Sequence, residues 1–339
     1  MRVGVIGAGL QGGRRGPVVR DFPGMELVAI ASEHGKTAKV LADRLGCQST
    51  VGWESIVERE DIDTVLVLTP PHLHAVISIA AMKAGKHVLC EKPLANSIAD
   101  GVEMVAVSRA TGVKLKCGFN HRHHPGIQKA KKWFDDGLIG EVNFIRCRYG
   151  ICGRPNYEKE WRADPKITGG GHLMEQGIHG IDLARWFAGD FTEASCFTAT
   201  SFWKIKPLED NAFALYQTAG GVITSIHSSL TQWKNLFSFE IYGYNGYISV
   251  EGLGGSYGTE RAILGKRDFT APFGEETVEF RGGDRSWYEE WKEFVSAIEE
   301  GREPLGSADD GLEALRLVLA AYESAGKGCS VSLEETRRK

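Results

Sequence analysis

No apolar run in this 339-residue chain approaches the about 18 residues that a membrane-spanning helix needs, and Ala75 to Met82 is among the longest. No membrane span is therefore expected. A secretory leader is not expected either, because the short apolar run from Val3 to Leu10 precedes Arg14 and Arg15, the reverse of the order a leader uses. The seven cysteines, at 47, 90, 117, 147, 152, 196 and 329, include no Cys-x-x-Cys and no paired spacing. That excludes a zinc ribbon or a small disulfide scaffold and fits reduced thiols in a cytoplasmic protein. An excess of one charge is also missing. With 40 Lys and Arg against 44 Asp and Glu, the formal charge of -4 gives no strong field to gather nucleic acid and none of the self-repulsion of an unfolded chain. Internal repeats, low-complexity tracts and long linkers are absent. Glycine, by contrast, is abundant: its 42 copies exceed a usual share of about 7% and point to tight turns and close backbone approaches. With 42% hydrophobic residues, the length predicts two domains with ample cores.

The first half alternates strands and helices. Arg2 to Ile6 reads as a short buried strand that runs into Gly7-Ala8-Gly9-Leu10-Gln11-Gly12, a G-x-G-x-x-G loop. A second strand, Leu27 to Ala31, ends at Ser32-Glu33 about 20 residues further on, as a dinucleotide fold requires. Gly7 then permits the tight turn, Gly9 lets backbone approach a pyrophosphate, and Gly12 lets the helix pack on the strand. The helix N-terminus at Leu10 and Gln11 offers N–H groups to the anion. Pro17 falls inside this helix and is expected to kink or shorten it. Thr37 to Leu45 reads as a second helix, Thr64 to Leu68 as a third strand buried on both faces, and His74 to Ala84 as the helix returning from it. Loops beyond the carboxyl ends of parallel strands line the ligand crevice, so Thr69, Pro70 and His74 are expected to face the cofactor. The next strand, His87 to Cys90, delivers Glu91-Lys92-Pro93 to the same end and points Lys92 toward a nicotinamide. Helix Ile98 to Ala110 and strand Val113 to Phe119 complete the unit.

These motifs, Gly7 to Gly12, Thr69-Pro70 with Leu73-His74, Gly85-Lys86-His87-Val88 and Glu91-Lys92-Pro93, resemble the signature of the glucose-fructose oxidoreductase / inositol dehydrogenase (Gfo/Idh/MocA) family. The likeness continues through Gly137 to Gly140, Trp161-Arg162, Gly169-Gly170-Gly171, Gly177-Ile178-His179, Ile181-Asp182, Tyr242-Gly243 and the late helix Trp291 to Ile298, covering essentially the whole chain. From 194 to 250 the pattern is strand-like with Gly-Gly and Asn turns, which suits an antiparallel sheet. Helices Ile127 to Phe134, His172 to Phe187 and Trp287 to Glu299 are expected to flank it. The expected fold is α/β: a Rossmann dinucleotide-binding domain over 1–120 and an α+β domain with a large, mostly antiparallel sheet over 121–339. The helix Leu312 to Tyr322 can close either domain, and the last helices can pack back on the first domain. By the resemblance, one face of that sheet packs on a neighbouring subunit, which implies a homo-oligomer, a dimer or tetramer.

Glu175 and His179 lie four apart on the helix expected after the three glycines, so both side chains are expected to share one face. The family's motif usually places Asp where this chain has Glu175. The chemistry assigned to these residues is alcohol oxidation: His179 as general base, Lys92 as the positive charge beside the reacting oxygen, and Glu175 as the orienting group. Trp161 and Arg162 resemble a family dipeptide that approaches the cofactor, and Tyr288 is expected to do likewise. Arg148, Arg154, Tyr157, Lys159 and Arg162 suggest a basic rim suited to an anionic sugar derivative. In the run His121-Arg122-His123-His124, adjacent residues point different ways and no carboxylate or cysteine spacing completes a metal site. Surface or interface histidines and no metal are expected there. Glu33 favours NAD by accepting the ribose 2'-OH, whereas Ser32 with Lys36 nearby leaves NADP open. Three functions stay open: an oxidoreductase acting on a sugar, polyol or sugar derivative, an NAD-retaining glycosidase using transient oxidation, and a cofactor-sensing regulator.

Overall fold

Strands β1 (Arg2–Ile6), β2 (Glu26–Ser32), β3 (Gln48–Val51), β4 (Thr64–Val67), β5 (His87–Glu91) and β6 (Leu115–Gly118) form one sheet in the order β3-β2-β1-β4-β5-β6, with every pair parallel. This is the strand order of a doubly wound dinucleotide-binding sheet. It appears in a computed structural model that describes residues 1–270 and 274–334. The central strands are apolar because both faces are covered: Val3, Val5, Ile30, Val65, Leu66 and Leu89 are all buried. Helices α1 (Leu10–Asp21), α2 (Gly35–Leu45), α3 (Glu54–Val57), α4 (His74–Lys83) and α5 (Ile98–Thr111) lie between the strands in sequence.

Two expectations need correction here. Helix α1 does not stop at Pro17 but continues to Asp21, with the proline inside it. The strand from Thr64 is the fourth in sequence, because β3, an exposed edge strand of sequence Gln-Ser-Thr-Val, precedes it without an apolar run to announce it.

The chain divides into two units, one of Met1–Asn120 with Trp287–Glu313 and the other of His121–Ser286 with the chain from Ala314 onward. Helix α9 (Ser286–Glu299) was expected to flank the second sheet. Instead Trp291, Phe294 and Val295 join Val3, Leu27, Ile30 and Leu66 in the core of the first unit. Of helix α10 (Ala308–Lys327), residues up to Glu313 group with the first unit and the remainder with the second.

The second unit is built on a nine-stranded sheet. Its strands are β7 (Val142–Gly150), β8 (Phe191–Ala199), β9 (Asn211–Thr218), β10 (Ile223–Ser229), β11 (Leu236–Gly243), β12 (Gly246–Glu251), β13 (Glu260–Lys266), β14 (Glu275–Phe280) and β15 (Val331–Ser332). Their order is β14-β13-β12-β11-β7-β10-β9-β8-β15, antiparallel throughout except for β7 with β10. Along β7 the residues Ile145, Cys147 and Tyr149 are buried while Phe144, Arg146 and Arg148 are exposed, so the period of two sorts the faces. Helix α6 (Pro125–Asp135) packs on β12 and β13, and α8 (Ile178–Ala188) packs on β7; α7 (Pro165–Thr168) is a single turn. Gly180 allows the close approach of α8, since a Cβ there would sit 2.8 Å from the Cys147 sulfur. On the opposite face Phe197, Phe213, Leu215 and Ile223 are exposed.

Candidate active site

In the first unit, the glycine loop joins β1 to α1. Gly7 has φ +116° and its N–H donates to the Ala31 carbonyl at 2.8 Å, while a Cβ there would lie 2.6 Å from the Leu68 carbonyl oxygen. A Cβ at Gly12 would collide with the Gly7 carbonyl and press on Leu41. Both positions are glycine for reasons internal to the protein. Gly9 differs: no protein atom lies within 4 Å of where its Cβ would be. The space it leaves open lies at the N-terminus of α1, where no side chain caps the helix and no acidic residue occupies the first turn at Leu10, Gln11 and Gly12. Just beyond the end of β4, the strand paired with β1, the Thr69 hydroxyl is buried without a hydrogen-bond partner. An open cradle at an uncapped helix start and an orphaned hydroxyl at a strand's carboxyl end suit a dinucleotide pyrophosphate.

The other residues expected at this end of the sheet divide into two groups. Glu33 is exposed just beyond β2, while the Ser32 hydroxyl is engaged by the His34 carbonyl at 2.6 Å and the Thr37 hydroxyl at 2.8 Å. Pro70 opens the short turn Pro71–Leu73 that leads into α4. His74, expected to face the cofactor, is fully buried, with Nδ1 2.7 Å from the Pro93 carbonyl and Nε2 2.8 Å from the Thr69 carbonyl. It ties the loop after β4 to the loop after β5, and burial outweighs the two carbonyls to lower its pKa.

Glu91 is likewise turned inward and accepts from Arg15 Nε at 2.7 Å. Arg15, 2% exposed on α1, also pairs with the fully buried Glu290 of α9. Burial holds the Glu290 carboxyl above its usual range even though Arg15 and Lys116 pull it down. This trio binds α1, the end of β5 and α9 together and fixes the backbone that carries the half-buried Lys92. Neither Arg15 nor Glu290 was expected from sequence. Their only signal is a charge placed where the helix periodicity calls for a core residue. Tyr288 also belongs to this unit, its ring 5.3 Å from Phe22.

In the second unit, Gly169-Gly170-Gly171 leads into the segment bearing Glu175 and His179. The carboxylate of Glu209 accepts from Gly171 N at 3.1 Å, Leu173 N at 2.8 Å and the Tyr322 hydroxyl at 2.8 Å, and so anchors the start of that segment. A single α-helix was expected here, but Leu173–Gly177 is a π-helical turn and regular α8 begins only at Ile178. The even α-helical spacing therefore does not run through Glu175, and π turns of this kind recur at functional sites. Glu175 accepts from the Tyr157 hydroxyl and from Arg162 Nε, both at 2.6 Å, and its longer side chain is fixed by these two donors. The Arg162 guanidinium lies 4.3 Å from the centre of the Trp161 ring and also meets Glu160 at 3.3 Å. Arg162 thus folds onto the Glu175 carboxylate of its own unit, and Trp161 lies against the Arg162 guanidinium. With Arg154 also paired to Glu160, two of the four cations of the expected basic rim are engaged by carboxylates.

His179 is 3% exposed, and its ring stacks on that of His121 with centroids 3.8 Å apart and planes 16° from parallel. His121 Nε2 is 3.0 Å from the Tyr149 hydroxyl, and His124 Nδ1 is 3.2 Å from Glu260 Oε2. The expectation of surface or interface histidines is corrected: His121, His123 and His124 are all buried within the chain, where the turn Asn120–His123 sets His121 against Tyr149 of β7 and Phe237 of β11. Among the described residues no group of three or more His, Cys, Asp or Glu side chains is arranged to hold a metal ion, and no helix is long and apolar enough to cross a membrane.

Two family profiles match the chain. One described as "Oxidoreductase family, NAD-binding Rossmann fold" covers residues 1–119, and one described as "GFO/IDH/MocA C-terminal domain" covers 127–249. A levoglucosan dehydrogenase from Pseudarthrobacter phenanthrenivorans is 30% identical over 96% of this chain and 96% of its own length. A myo-inositol 2-dehydrogenase from Thermotoga maritima is 28% identical over 99% of each. Among solved structures, levoglucosan dehydrogenase in complex with NADH and levoglucosan superposes with a TM-score of 0.88 at 27% identity, covering 98% of both chains.

Proposed function

Because the chain belongs to the Gfo/Idh/MocA family of oxidoreductases and its first unit is that family's NAD-binding Rossmann fold, we propose that it moves a hydride between nicotinamide and a hydroxyl-bearing or keto carbon of a neutral sugar, polyol or sugar derivative. The observation that carries this reading is the fixing of Lys92. It leaves the carboxyl end of β5, the crevice end of a doubly wound sheet, on backbone locked by the buried Glu91–Arg15–Glu290 trio and by the His74 tie to Pro93. A neutral substrate is favoured over an anionic one because Arg154 and Arg162 are already paired with Glu160 and Glu175.

Nicotinamide, when bound, supplies the hydride acceptor or donor. The Gly9 cradle, the first turn of α1 and the Thr69 hydroxyl hold the pyrophosphate side, and Glu33 accepts the ribose hydroxyl and repels a 2'-phosphate, which makes NAD the preferred cofactor. Lys92 stabilises alkoxide character on the reacting oxygen, and His179 takes the hydroxyl proton in oxidation and returns it in reduction. Glu175, held by Tyr157 and Arg162, orients a substrate hydroxyl or the histidine. The chain also assembles as a homo-oligomer through the open sheet face that bears Phe197, Phe213, Leu215 and Ile223.

Incubation with NAD or NADP and a panel of neutral sugars, polyols and glycosides, following reduced nicotinamide and glycoside cleavage together, tests the reading. Substrate-dependent NADH formation without cleavage is expected. Cleavage of a glycoside without net NADH would replace this reading with a glycosidase, and binding of NAD with neither reaction would leave a cofactor-sensing protein.

A further inference from the structure

We propose that His121 is a positioning residue for His179: the two stacked imidazoles share their protonation, so that a proton on one opposes a proton on the other and His179 stays basic to lower pH than it would alone. The inference rests on the reading of His179 as general base.

The ring centroids lie 3.8 Å apart with planes 16° from parallel, and both residues are buried. Stacked rings present their nitrogens sideways, so no proton passes directly between them and their coupling is electrostatic. At this separation, and away from bulk water, two imidazolium charges repel strongly. Such a pair titrates in two separated steps.

The pair packs against uncharged groups on β7. On β7, Tyr149 is 3.0 Å from His121 Nε2 and donates to Tyr257 at 3.4 Å. Burial, followed by the proximity of Tyr257, holds the Tyr149 phenol well above its usual pKa, so the hydroxyl that faces His121 carries no negative charge. Cys147 on the same strand is kept a neutral thiol by burial. The carboxylates on the surrounding elements each have partners of their own. Glu260 meets His124 and Gly126 N, and Asp284 lies 4.0 Å from His124. Asp182 on α8 takes both arms of Arg122, and Glu175 is bound by Tyr157 and Arg162. Phe237 closes the His121 ring on another side at 5.9 Å.

The test is a pH titration of the full chain labelled with ¹⁵N in its histidine rings, read by NMR without substrate, with His179 assigned by its loss in His179→Gln. In the wild type, each of the two rings should show an inflection at the other's midpoint, whereas two independent single-site curves would overturn the proposal. In His121→Phe, which keeps a flat ring but takes no proton, the His179 midpoint should rise by about 0.5 pH unit or more, a threefold gain in proton affinity. The acidic limb of kcat/KM should move up with it. His121→Gln should shift the midpoint the same way if the phenylalanine variant folds poorly. A His179 midpoint unchanged in a folded variant contradicts the proposal. Persistence of the acidic limb in His179→Asn would remove the general-base reading alone, because the ring coupling is measured without turnover.

Discussion

At the scale of single residues, the glycine loop separates structural need from ligand need. Gly7 and Gly12 are required by Leu68 and by the Gly7 carbonyl, whereas Gly9 faces open space. Gly9→Val is therefore expected to leave the fold intact and to abolish dinucleotide binding by filling the pyrophosphate cradle, as measured by calorimetric titration. Wild-type affinity in that variant would remove the loop's assignment. Glu33→Arg should shift the ratio of kcat/KM for NADP over NAD upward by about tenfold or more, since repulsion of the 2'-phosphate becomes a charge-assisted bond. An unchanged ratio would mean that Glu33 does not read the ribose. The loop and Lys92 were legible in the sequence because their chemistry follows from residue type and spacing. Arg15 and Glu290 were not, because a buried charge looks like a solvated one until its partner, 275 residues away, is known. His74 was legible as a special residue but not as a tie between two loops, since only the fold brings Thr69 and Pro93 to its two nitrogens.

At the scale of elements, β1, β2, β4 and β5 were legible because they are buried on both faces and carry uninterrupted apolar runs. Strand β3 was not, because an exposed edge needs no such run. The π turn at Leu173–Gly177 was also hidden, since it depends on anchors remote in sequence, Glu209 and Tyr322. A related anchor holds the segment after β8. The Asp210 carboxylate accepts the N–H groups of Ser201, Phe202 and Trp203 and the amide of Asn211. Burial raises its pKa, but the backbone donors more than offset this and hold it below the usual carboxylate range. With a depressed folded-state pKa, Asp210 contributes stability above its unfolded value of about 4, and that contribution is lost as the pH falls through the folded value. Asp210→Asn should cost about 1.5–3 kcal/mol at neutral pH, the range for hydrogen bonds to a charged group. The deficit should shrink in acid. Denaturant unfolding of both proteins at pH 7 and near pH 3 checks the sign, and a deficit that is constant or grows in acid would contradict it.

At the scale of the whole molecule, sequence pattern identified the two kinds of sheet. It misplaced α9, whose apolar stripe looks the same whichever core it enters and whose Trp291 and Phe294 complete the first unit. The open face of the nine-stranded sheet was anticipated only through the family resemblance, since alternation along a strand reveals two faces without saying what covers them. If that face is a subunit contact, Leu215→Arg should convert an oligomer into a monomer by light scattering while each unit keeps its fold; an unchanged mass would place the contact elsewhere. The central claim is that Lys92 and His179 perform alcohol oxidation with the cofactor of the first unit. The pH dependence of kcat/KM for NAD-dependent sugar oxidation in His179→Ala, compared with the wild type, tests it most directly. The account predicts activity lower by about 10²-fold or more with the acidic limb gone and NAD affinity nearly normal. A bell of unchanged shape with substantial activity would show that His179 is a structural histidine and would contradict the account.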